Sequence, residues 1–146
     1  MSSVVNLLAG NSFISLGWTG FIGSLTGMSE DMAISEKVWL TYKGRSSRAG
    51  IPFHFLLRDI IHYDVSLGSA LTRIANAPRT CSIFVGAGSR HESRANIIAY
   101  AHENVTIFDD RNFEQVCRIL QKGACRCLLV RVLVYVLCSP LIHSAD

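Results

Sequence analysis

The segment that decides the fold is residues 52–85, PFHFLLRDIIHYDVSLGSALTRIANAPRTCSIFV. Its apolar residues recur at spacings of three and four, which predicts one amphipathic helix that ends near residues 62–64. A second helix is expected to begin with Asp64 or Ser66 as its N-cap and to end by Pro78. The apolar and β-branched residues at the end of the segment predict a strand. The inward-facing stripes of the two helices are Phe53, Leu56, Leu57, Ile60 and Ile61, and Leu67, Ala70, Leu71 and Ile74.

Short strand candidates lie on both sides of this helix pair. Before it, four apolar runs are bounded by Gly, Asn or Ser, at residues 4–8, 13–18, 21–26 and 32–37. After it, residues 95–101 and 105–108 predict a hairpin with its turn at 102–104, and residues 86–93 are expected to form a turn-rich connection. Residues 43–50 are polar and basic and predict an exposed loop. The order of strands, helices and strands predicts an α+β fold, with two helices on one face of an antiparallel sheet.

Composition excludes several classes of protein. The 146 residues are 49% hydrophobic and 17% charged, which is typical of a folded chain and unlike a disordered one. The basic residues behind the net charge of +3 are scattered, so we expect no nucleic-acid partner. The five cysteines lack the spacing of zinc sites, so neither a metal nor a cofactor is expected. The first 28 residues contain no Lys or Arg and do not resemble a signal peptide.

A few polar residues could carry chemistry. His54 and His62 lie eight residues apart with Arg58 between them, and Asp59 or Asp64 could orient one of them as a general base. A solvent-exposed helix face explains this group more simply. The glycines of residues 86–88 follow a strand as in half of a dinucleotide-binding loop, but a turn is the simpler explanation because no third glycine follows.

Two further candidates lie near the ends of the chain. Asp109 and Asp110 could bind a metal, yet the N-cap of a helix over residues 113–120 explains them as well. Removal of Met1 would leave Ser2 with a free α-amino group, the minimal apparatus of an N-terminal nucleophile. Because no oxyanion hole is evident after it, we do not expect Ser2 to be catalytic.

Three ordered motifs resemble a known enzyme family. They are GWTGFIGSLTGMSEDMAISEKVW at 17–39, GIPFHFLLRDII at 50–61 and NAPRTCSIFVGAGS at 76–89. Together they are similar to the N-terminal-nucleophile (Ntn) amidohydrolases of the isopenicillin N acyltransferase type (peptidase C45) and of the acid ceramidase branch. The resemblance covers residues 12–113 and implies that residues 1–114 are part of an αββα sandwich.

The resemblance also implies a reaction, which is hydrolysis or transfer of an acyl group at a linear carbon–nitrogen bond by an N-terminal cysteine. No cysteine precedes Gly17, so we expect this chain to be an internal, inactive fragment without the nucleophile. By position, Glu36 is a weak candidate for an acidic active-site residue, and Ser29 replaces the family's asparagine. Arg58 is expected to anchor the first helix to the sheet through charge-assisted hydrogen bonds.

A noncatalytic binding or interaction domain is the alternative. Trp18, Phe21 and Trp39 would then line a groove that holds an apolar ligand or a partner. A retained enzymatic role would make an amide or lipid amide the small-molecule partner. The resemblance would place the parent protein in the lysosome or outside the cell, while the residues themselves leave the compartment open.

The tail, residues 115–146, departs from the family and is rich in Cys, Val and Leu. Its most apolar run, CLLVRVLVYVLC at 127–138, has Arg131 near its centre and is shorter than the about twenty residues that span a bilayer, so no transmembrane span is expected. High β-propensity, a single charge and no proline are typical of segments that pair with other chains. We therefore expect self-association through the tail.

Overall fold

The computed structural model describes residues 2–5 and 10–109. Within them lie two helices, α1 (Phe53–Tyr63) and α2 (Leu67–Asn76), and seven strands. The strands are β1 (Ser2–Val5), β2 (Phe13–Leu16), β3 (Thr26–Ser29), β4 (Met32–Val38), β5 (Ile83–Ser89), β6 (Arg94–Tyr100) and β7 (Val105–Phe108). They form one antiparallel sheet in chain order, from β1 to β7. The predicted α+β fold, with two helices packed on an antiparallel sheet, is confirmed.

The helices form where their apolar periodicity predicts them. Ser66 is the N-cap of α2, and its Oγ accepts a hydrogen bond from the backbone N of Ser69 at 3.2 Å. The carboxylate of Glu92, in the β5–β6 turn, accepts a second one from the N of Leu67 at 2.7 Å. Two of the otherwise unpaired N–H groups at the start of α2 are thereby satisfied. The core that both helices share with the sheet contains Leu56, Leu57, Ile60, Ile61, Leu67, Ala70, Ile74, Ile34, Val85 and Ile98.

An ion pair fixes the corner between the helices. The guanidinium of Arg73 in α2 donates two hydrogen bonds to the carboxylate of Asp64, at 2.7 and 3.0 Å. Asp64 directly follows α1 and is buried. The hydrogen bond to Asp64 is the main cause that raises the pKa of Arg73. A buried carboxylate in a bidentate ion pair is strongly favoured over an unpaired one. This contact therefore fixes the orientation of α2 relative to α1.

Two predictions, one of a turn and one of a strand, are wrong because of tertiary context. Residues 86–88 are not a turn but the buried middle of β5, where β4 and β6 supply partners on both sides. Residues 21–26 are not a strand, because their backbone bonds to α1: the N of Ser24 donates to the carbonyl of His54 at 2.9 Å. The strand begins only at Thr26.

Several predictions concern residues outside those described. They include Asp110, the helix expected over 113–120, and the whole tail from residue 115. Among the described residues, no helix is both long enough and apolar enough to cross a membrane.

The packing of α1 makes a prediction about stability. Leu57 is fully buried, so Leu57→Ala should lower the free energy of unfolding by about 2 to 5 kcal/mol. Leu71 is only partly buried against the core, so Leu71→Ala should cost less. Val65→Ala is the control, because Val65 is 56% exposed and surface changes stay within about 0.5 kcal/mol. Urea unfolding measures all three, and an unchanged midpoint for Leu57→Ala would show that α1 is assigned the wrong face.

Candidate functional site

A groove of about 490 Å³ lies between β2, α1 and the loop of residues 17–25. Its lining residues are Phe13, Ser15, Gly17, Trp18, Phe21, Ile22, Gly23, Arg58, His62 and Tyr63. The aromatic rings of Trp18 and Phe21 lie 4.5 Å apart, and Phe21 is 5.3 Å from the ring of His54. The structure therefore brings together two of the three aromatic residues predicted to hold a ligand.

Glycine allows the loop to pass this close to the helix. A Cβ atom at Gly23 would collide with the imidazole of His54, so only glycine fits there without a shift. Gly20 has a φ of 85°, a backbone conformation that other residues rarely adopt. These two glycines let the loop of residues 17–25 follow its path beside α1.

Trp39, the third predicted binding residue, lies elsewhere. Its ring packs on Phe84 at 4.8 Å and on Tyr42 at 4.9 Å. Phe84 belongs to a second apolar cluster, on the sheet face opposite to the helices. Sequence alone does not reveal this separation, because it depends on the direction in which each side chain leaves its strand.

Arg58 connects α1 to the loop. Its Nη1 donates a hydrogen bond to the carbonyl of Ile22 at 3.2 Å, and its Nη2 lies 3.4 Å from Oδ1 of Asp59. Burial, and next the positive charge of Arg58, lower the pKa of His54 one turn earlier. Arg58 thus holds the loop to the helix, where a bond from the helix to the sheet was predicted.

His62 is buried, so the prediction that both histidines lie on a solvated face is wrong for it. Its ring stacks on Tyr63 at 4.2 Å and lies 5.6 Å from Phe13. The chain just before β2 covers it: the N of Asn11 donates to the carbonyl of His62 at 2.7 Å. A Cβ at Gly10 would collide with the imidazole. This cover comes from a distant part of the chain, which helical periodicity cannot reveal.

Ser15 is a groove residue that sequence reasoning missed. Its hydroxyl lies 2.8 Å from that of Ser24, which is fully buried. The pair joins β2 to the end of the loop. The alternation of Phe13 and Ser15 along β2 is the one sequence signal for it, because residues two apart share a face.

Glu36 lies apart from the groove. It stands opposite Val85 in the β4–β5 register, and Val85 packs in the core shared with the helices. Its Oε2 atom is buried and has no hydrogen-bond partner among the described residues. Burial raises the pKa of this carboxyl group. A carboxyl group in this environment suits a general acid or base.

Cys81 feels the charge of Glu36 but does not form a nucleophilic centre with it. Burial is the main cause that raises the pKa of the Cys81 thiol, and the charge of Glu36 adds to it. A reactive cysteine needs the opposite shift, toward thiolate. Burial also raises the pKa of Tyr100 to about 12, and its buried hydroxyl has no partner among the described residues.

Ser29 and Asp109 are the two remaining candidate site residues. The Oγ of Ser29 accepts a hydrogen bond from the N of Met32 at 3.1 Å, so it shapes the β3–β4 turn. Asp109 directly follows β7. Within the described part of the chain, no three His, Cys, Asp or Glu side chains are grouped to hold a metal ion.

Comparison with known proteins finds two relatives in Dictyostelium discoideum. The chain is 52% identical over 102 residues to Protein dcd1A and 46% identical over 101 residues to Protein dcd1B. These matches cover 70% and 69% of this chain but 23% and 20% of the relatives. The chain therefore spans less than a quarter of either relative. No protein-family model matches the sequence.

These findings overturn the predicted membership in the Ntn amidohydrolases. Neither relative is named as such an enzyme, and no family model supports peptidase C45. The prediction is therefore wrong. Its motifs have packing roles here: residues 17–25 cover α1, and residues 83–89 form the buried β5.

Glu36 makes a prediction about pH. The folded chain raises the pKa of its carboxyl group above the ordinary 4.5, so folding favours the neutral form. This contribution is complete at low pH and is lost as pH rises through the folded pKa. Glu36→Gln should therefore raise the urea midpoint at about pH 7 and change it little at about pH 4. The control is Glu103→Gln, since the hydrogen bond from Arg45 lowers the pKa of that exposed carboxylate. Equal midpoints for wild type and Glu36→Gln at both pH values would contradict the shift.

Proposed function

We propose that this chain contains a noncatalytic binding domain that holds a small apolar ligand in the groove beside Trp18 and Phe21. The groove itself carries the proposal, because about 490 Å³ lies within the range of about 300 to 1,000 Å³ common for small-molecule sites. Its walls carry four aromatic side chains and one aliphatic side chain, together with the polar groups of Ser15, Arg58 and His62. Aromatic walls with a few polar groups are typical of small-molecule sites.

Exposed apolar side chains at the groove support the proposal. Trp18 is 63% exposed and Ile22 is 69% exposed, and both are lining residues. Neighbouring exposed apolar side chains beside a cavity mark interaction sites more often than isolated ones do. A ligand in the groove would shield both side chains from water.

A second proposal concerns amide chemistry in a longer protein. On this proposal, the chain derives from an enzyme that hydrolyses or transfers acyl groups at linear carbon–nitrogen bonds, with a cysteine nucleophile from outside this sequence. The observation that favours it is Glu36, because its Oε2 has no hydrogen-bond partner among the described residues and its raised pKa suits proton transfer. Both proposals hold this chain alone to be inactive.

Ligand binding can be followed through Trp18. The sequence has two tryptophans, so a Trp39→Phe chain reports on Trp18 alone. Octanol should change its emission saturably, and Phe21→Ala should weaken binding at least about tenfold, because an aromatic wall is lost. Tyr42→Phe is the matched control, since Tyr42 contacts Trp39 and lies outside the groove lining. A linear, unsaturable response to octanol would contradict the binding function.

Inactivity can be tested separately. The purified full chain should release no fluorophore from an N-acyl aminocoumarin above background, because acyl transfer needs a nucleophile, a base and oxyanion donors together. Ser2→Ala and Cys81→Ala chains serve as comparisons. Turnover that either substitution abolishes would identify a nucleophile and show that the chain is an enzyme.

A further inference from the structure

We propose that the groove recognises an alkyl or aryl carboxylate, and that Arg58 binds the carboxylate group. This inference rests on the proposed binding function and specifies its ligand class. It is carried by the position of Arg58, by its free hydrogen-bond donors and by the aromatic wall beside it.

Arg58 supplies the positive charge of the groove. Of the described residues that line the groove, Arg58 is the one with a permanent charge, and the side chains of Trp18, Phe21 and Ile22 are apolar. An apolar wall beside a single guanidinium complements an amphipathic anion. A cation of the same shape would be repelled.

Contacts with the described residues leave some donors of Arg58 free. A guanidinium has five N–H donors, and one of them binds the carbonyl of Ile22 at 3.2 Å. The contact with Asp59 is 3.4 Å long, whereas charge-assisted hydrogen bonds measure about 2.7 to 2.9 Å. Asp59 therefore forms an ion pair with Arg58 through one long contact, which offsets part of the charge and leaves further N–H donors for a ligand. The side chain of Arg58 is 35% exposed, so a carboxylate can reach the remaining donors.

The local electrostatics agree with this geometry. After burial, the charge of Arg58 is the second cause that lowers the pKa of His54. The positive charge of Arg58 thus acts on its neighbour on α1. The same charge would favour a negatively charged ligand group over a neutral one.

The aromatic wall supplies the apolar half of the site. Trp18 and Phe21 lie in contact at 4.5 Å between ring centroids. An alkyl chain or an aryl ring that covers them gains in proportion to the apolar area removed from water. The apolar part of the ligand and its carboxylate therefore contact different side chains of the protein. Substitutions can test the two contacts separately.

The test compares three ligands that have the same linear alkyl chain and differ in the polar group at its end. Octanoate, octanol and octylammonium are titrated into the full Trp39→Phe chain while the emission of Trp18 is followed. We expect octanoate to bind about ten- to hundredfold more tightly than octanol, as for a hydrogen bond to a charged group. Octylammonium should bind more weakly than octanol. Arg58→Met should reduce octanoate to the affinity of octanol, and Arg94→Met, which removes an exposed cation of β6, should change none of the three.

Arg58→Met also removes the bond to Ile22, so Arg58→Lys guards against misfolding. It keeps the charge but loses the two-pronged donor geometry, and should lower octanoate affinity while octanol affinity stays the same. Equal affinities for octanoate and octanol in the chain that retains Arg58 would overturn carboxylate recognition and leave the groove function intact. If no ligand gives a saturable response, both the groove function and carboxylate recognition would be overturned. An unchanged response in a Trp18→Phe chain that retains Trp39 would have the same consequence.

Discussion

The burial of α1 against the sheet is the constraint on which the described structure depends. Leu57, Ile60 and Ile61 are fully enclosed, so the helix can neither rotate nor slide without opening the core. The residues that flank this stripe are thereby fixed in direction. One of them, Arg58, contacts the loop of residues 17–25, and the groove exists because the loop and the helix are held at this spacing.

Sequence patterns predicted the elements of the fold that depend on residues close together in the chain. The helices follow from apolar spacing, and of the two N-caps that the sequence allowed, Asp64 and Ser66, the structure has Ser66. The strand through residues 86–88 could not be predicted, because small residues there are stabilised by two neighbouring strands that are distant in sequence. Whether a glycine-rich run turns or extends depends on such partners, which composition does not contain.

The site was only partly predictable for the same reason. Trp18 and Phe21 share one loop, and their proximity follows from the sequence. The burial of His62 depends on the chain at Gly10 and Asn11, and Trp39 points to the opposite cluster because of the pairing of β4 with β5. The three motifs that suggested an amidohydrolase occur where close packing requires glycine and apolar residues. Similarity in such motifs reports on packing before it reports on chemistry.

The strand order has a consequence for how the chain folds. Because each strand pairs with its neighbours in sequence, β1 to β4 and β5 to β7 can each assemble as successive hairpins. The exception is the pairing of Val38 with Ile83, which closes a long loop that contains both helices. Closing that loop carries the largest entropic cost of any step in the sheet. The rate of folding should therefore depend on this one junction, and the helix pair lowers its cost by shortening the path between its ends.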